Sequence, residues 1–82
     1  MLYFIKHILI ENRYLRFSFN EIYSLEGMRY YISVVGADHK VYHFNMKELL
    51  GSWKLIHPEE CPNWIVLNED LFSTVIIEEQ RL

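Results

Sequence analysis

The sequence predicts an α+β domain: an antiparallel meander sheet of four or five strands with one C-terminal helix packed on one face. Three observations lead there. Before residue 57, apolar and polar residues alternate in repeated short segments, the period of a strand with one buried face. After Pro62 the pattern changes, and Trp64, Leu67, Leu71, Phe72, Val75 and Ile76 take the three-and-four spacing of an amphipathic helix. The 82 residues, 51% hydrophobic and 16% aromatic with only 3 Gly and 2 Pro, are too apolar and too poor in breakers for a disordered chain, and too few for two domains. A single domain over 1–82 follows, mainly β over 1–57 and mainly helical over 62–80.

Leu2 to Ile10 is rich in β-branched and aromatic residues and reads as the first strand, with a helix over 2–12 as the competing reading because Ile5, Ile8 and Leu9 also fit helical spacing. Arg13 to Phe19 alternates strongly: Leu15, Phe17 and Phe19 fall on one face, Tyr14, Arg16 and Ser18 on the other. Glu11 and Asn12 between them suit a hairpin bend, since Asn tolerates left-handed backbone angles. The clearest hairpin pairs Arg29–Val35 with Lys40–Met46 around Gly36-Ala37-Asp38-His39. Its inward face holds Tyr30, Ile32, Val34, Tyr42, Phe44 and Met46. A short strand over Trp53–His57 follows a loop containing Leu49, Leu50 and Gly51. Asn68 followed by Glu69 and Asp70 has the composition of an N-cap and acidic first turn, so the helix can begin there with 62–67 as a separate turn. Trp53 and Trp64 are expected to anchor the join of sheet and helix.

Eight basic and eleven acidic side chains give a net charge of −3, which disfavours binding to nucleic acid by bulk charge. The charge is uneven: residues 1–54 carry seven basic and five acidic groups, whereas residues 55–82 carry one and six. Cys61 is the single cysteine, so no intramolecular disulfide forms, which fits a cytoplasmic setting. The apolar start lacks the basic leader and cleavage site of a signal peptide, and no apolar run approaches the length of a membrane span.

Few residues point to chemistry. His39 and His43 have the H-x3-H spacing of a zinc site, but on a strand four residues extend about 13 Å, too far for one tetrahedral ion. Cys61 with His57 and Glu59 or Glu60 offers a thiol, a base and an acid, yet in a loop with no frame that makes them converge. Glu59-Glu60 and Glu78-Glu79 are adjacent pairs whose side chains diverge. No phosphate-cradling glycine loop or nucleophile elbow is present. Neither a catalytic residue nor a metal or other cofactor is therefore expected.

The outward face of the sheet is the richest constellation. Tyr14, Arg16, Arg29, Tyr31 and His43 share it with Ser18, Ser33 and Asn45. Tyr and Arg are enriched at protein interface hot spots, and the same groups suit stacking of unpaired bases with guanidinium groups on phosphates. A chain this short cannot bury all its large apolar groups. The expected function is thus a small non-enzymatic interaction module, a subunit, inhibitor or adaptor. It binds another protein or itself as a homodimer, by the sheet face or an edge strand. A single-stranded nucleic-acid binder using Tyr14, Arg16, Arg29 and Tyr31 is the alternative.

Overall fold

Turn chemistry sets the path of the chain in the computed structural model, which describes residues 3–81. Five strands, β1 (Tyr3–Ile10), β2 (Arg13–Ser24), β3 (Gly27–Val35), β4 (Val41–Leu49) and β5 (Ser52–Ile56), form one sheet in sequential order. All four pairings are antiparallel. Glu11 and Asn12 both adopt left-handed angles, with φ of 49° and 67°, as a two-residue turn of the hairpin hand requires. Leu50 and Gly51 do the same between β4 and β5, at φ of 54° and 88°. Leu2, expected at the start of the first strand, lies outside the described residues. The helical reading of the N-terminal segment does not hold, because Phe4, Ile8 and Ile10 alternate onto the core face opposite Phe19, Leu15 and Arg13 of β2.

Strand β2 runs five residues beyond Phe19. Polar Asn20 and Glu21 hide this extension in the sequence, but pairing with β3 continues through Ser24 opposite Gly27. The Glu21 carboxylate accepts hydrogen bonds from the hydroxyls of Tyr30 (3.0 Å) and Tyr23 (3.1 Å), so an acid is satisfied at the end of the core face.

The segment after Pro62 divides into α1 (Asn63–Val66) and α2 (Glu69–Gln80). Asn68 precedes α2 as expected, yet its side chain does not cap that helix. Its amide donates to the Trp64 carbonyl at 2.6 Å and closes α1 instead. Leu67 falls in the break and is exposed, whereas Phe72, Val75 and Ile76 are buried against the sheet. The Phe72 ring meets Phe17 at 5.2 Å and Phe44 at 5.3 Å, fastening α2 across β2 and β4. At about 25 cal/mol per Å² of apolar area, each such ring stabilises by roughly 1.5–3 kcal/mol.

Sequence expectation and core agree closely. Tyr30, Ile32, Val34, Phe44 and Met46 are buried, and Tyr42 is half-buried with Trp64 edge-on to its ring at 5.5 Å. Trp53 is fully buried and lies edge-on to Tyr30 at 5.0 Å. No helix among the described residues is long and apolar enough to cross a membrane.

Candidate interaction face

Strand parity divides the sheet into two unlike faces. One packs under α1 and α2. The other carries Leu9, Tyr14, Arg16, Ser18, Arg29, Tyr31, Ser33, Val35, Val41, His43, Asn45, Lys47 and Lys54, and is bordered at one corner by the segment after β5, where His57, Glu60 and Cys61 line a hollow with His43, Asn45 and Ile56. All five residues singled out from the sequence, Tyr14, Arg16, Arg29, Tyr31 and His43, stand on this outer face.

They do not form one cluster. Tyr31 and His43, diagonal neighbours on β3 and β4, stack at 5.4 Å with their planes 11° apart. The Tyr31 hydroxyl and His43 Nδ1 share a hydrogen bond of 2.7 Å. Each ring thus turns one π-face to the other, at the middle of the sheet. Tyr14, 70% exposed, lies at one end opposite Leu9, and Arg29 lies at the other, level with Ile22 of β2. The eight steps along β2 from Tyr14 to Ile22 span about 27 Å of strand. Arg16 rims a shallow hollow with Ser18, Ser33, Val35 and Val41, while Arg29 is held by Glu26 at 2.9 Å. The surface is a long strip with three separate foci.

Two cations of this face escape the sequence reading. Lys47 lies directly opposite Arg29, and Lys54 directly opposite Lys47, so three adjacent strands present a row of positive charge. Continuing the β4 alternation two residues beyond Asn45 reaches Lys47. Lys54 is legible only once β5 is registered against β4.

The two sheet edges differ as well. Backbone N–H groups of Trp53 and Leu55 point away from β4. The Ser73 hydroxyl of α2 accepts the first at 2.9 Å, and the Glu69 carboxylate accepts the second at 2.8 Å. The edge of β5 is therefore capped. In β1, the two-residue turn makes Ile10 and Arg13 a hydrogen-bonded pair, which leaves the N–H groups of Tyr3, Ile5, His7 and Leu9 directed at the open edge.

The remaining chemical groups stay apart or engaged. His39 sits in the β3–β4 loop at φ 66°, and His43 is committed to Tyr31. After β5, a 3-10 turn at 58–60 brings ligand atoms of His57, Glu59 and Glu60 within 4.8 Å of one another, all exposed. His57 Nδ1 lies 3.3 Å from the Glu59 carboxylate. Burial, then Glu60 and Glu59, push the Cys61 thiol upward, opposite to what an activated nucleophile needs. Its sulfur lies 3.9 Å from the His57 carbonyl oxygen, to which it donates, and the side chain packs against the core.

No family model matches the chain, and comparison with curated proteins and with solved structures finds no match.

Proposed function

We propose that the chain is a small non-enzymatic protein-interaction module that docks through the outer face of its sheet. The observation supporting this reading is that α1 and α2 pack on one sheet face, while the other face is bordered by the segment after β5 at one corner and otherwise keeps large side chains exposed. That face exposes Leu9, Tyr14, Val35 and Val41, each about half or more accessible, beside Arg16 and the Tyr31–His43 pair. Exposed aromatic and cationic groups interleaved with apolar ones are the composition of interface anchors. The single thiol suits work in the cytoplasm, where it stays reduced.

Self-association belongs to the β1 edge in this reading. A symmetric pairing of two outer faces sets Arg16, Arg29, Lys47 and Lys54 against the same four cations, with no carboxylate at a strand position of that face to relieve them. Pairing of two β1 strands instead satisfies the N–H groups of Tyr3, Ile5, His7 and Leu9 and extends both sheets. The alternative of single-stranded nucleic acid is weaker, because the Tyr31 ring already lies on His43 and Arg29 is already paired with Glu26.

Site-specific photo-crosslinking in living cells tests the docking reading. A benzophenone side chain at Val41, on the outer face, is expected to give discrete protein adducts, and the same group at Thr74, on the exposed side of α2, none. Adducts from Thr74 alone, or from neither position, contradict it.

A further inference from the structure

Charge is divided unevenly between the two sides of this chain. Arg16, Arg29, Lys47 and Lys54 stand on the outer face, where no strand position bears a carboxylate. On the other side, α2 carries Glu69, Asp70, Glu78 and Glu79, with Arg81 at its end and Lys6 and Arg13 on the core-side parity of β1 and β2, while Glu60 of the 3-10 turn borders the outer face beside His43 and Asn45. The segregation runs against the local interest of the sheet. Arg29, Lys47 and Lys54 are directly opposed on successive strands, and like charges so placed destabilise a sheet. Glu26 relieves Arg29, but among the described residues no ion pair relieves Lys47 or Lys54.

Resting on the docking reading above, we infer that the outer face takes an acidic segment of another protein. Its carboxylates meet Lys47 and Lys54, beside the Glu26-paired Arg29, and its apolar or aromatic side chains meet Val35, Val41 and Tyr14. Charge complementarity selects the sign of the partner, and the exposed apolar groups select a polypeptide over a bare polyanion. A second copy is disfavoured face to face by its own cations. A nucleic acid is disfavoured because the Tyr31 ring already lies on His43, which leaves it less free to stack a base, and Arg29 is already paired with Glu26.

Fluorescence anisotropy on the intact chain tests this with three labelled probes: a random glutamate–tyrosine copolymer, a lysine–tyrosine copolymer and oligothymidylate. The acidic copolymer is expected to bind and to weaken as salt rises. Lys47→Glu with Lys54→Glu is expected to reduce its affinity by about tenfold or more, while Glu78→Lys with Glu79→Lys does not reduce it. Absence of binding by the acidic copolymer at low salt overturns the inference. So does equal loss in the helix variant, or tighter binding of oligothymidylate. If only the lysine–tyrosine copolymer binds, and Tyr14→Ala abolishes that binding, the acidic preference falls while the docking face stands. If no probe's binding responds to any outer-face substitution, the docking reading falls with it.

Discussion

Leu50 occupies the left-handed region at φ 54° while its side chain lies almost wholly in water, so it bears the strain of the turn without compensation from burial. Replacing it by Asn, which tolerates that backbone and precedes Gly51 as hairpin turns prefer, is expected to stabilise the fold by about 1 kcal/mol. A calorimetric melting point higher by roughly 4–8 °C checks this. Tyr30 couples the core to pH. Burial, and then its bond to Glu21, push its hydroxyl from 10.0 up to about 12. A folded-state value above the unfolded one favours the protonated folded form, so this contribution is complete below pH 10 and is lost as pH climbs from there toward 12. Tyr30→Phe is therefore expected to give a shallower alkaline fall in denaturant midpoint than the unaltered chain. The same fall in both proteins contradicts the assignment. At this scale the sequence was highly legible for Tyr30, Ile32, Phe44 and Met46, whose period of two announces their burial. It was silent on Glu21, because an acid on the core face makes sense only beside the two tyrosines that bond it.

At the scale of elements, β5 and α2 form one unit. The helix lends Ser73 and Glu69 to the backbone of the last strand, so Ser73→Ala strands the buried Trp53 N–H and is expected to cost about 1–3 kcal/mol. Urea denaturation measures it, and a loss under half that size means the strand finds another acceptor. This explains why the cap at Asn68 was only half legible. The position of the helix start follows from Asn68-Glu69-Asp70, but the roles of the side chains depend on a strand fourteen residues upstream and on the turn before. The opposite edge lacks such a device. His7→Pro removes an N–H that points out of the sheet, so it is expected to abolish self-association in sedimentation equilibrium while leaving the melting transition cooperative. A chain that is monomeric without the substitution contradicts pairing through β1.

For the whole molecule, a meander with a terminal helix leaves one face of the sheet over. The alternation of the strands and the change of period after Pro62 made the architecture readable, since each hairpin joins neighbours and no long-range crossover has to be deduced. The division of charge between the two sides was readable only as an excess of acid near the C-terminus. The row Arg29, Lys47 and Lys54 is scattered over 26 positions of sequence and becomes a row only through the register of three strands.

The bareness of that face is open to direct measurement by solvent paramagnetic relaxation, with a freely diffusing gadolinium chelate and methyl resonances as the readout. At dilute concentration the methyls of Leu9, Val35 and Val41 are predicted to relax strongly, and those of Ile32, Val34 and Ile76 weakly. Equal protection of Leu9, Val35 and Val41 in the isolated chain would mean that something already covers the outer face, and would contradict its assignment as the docking surface.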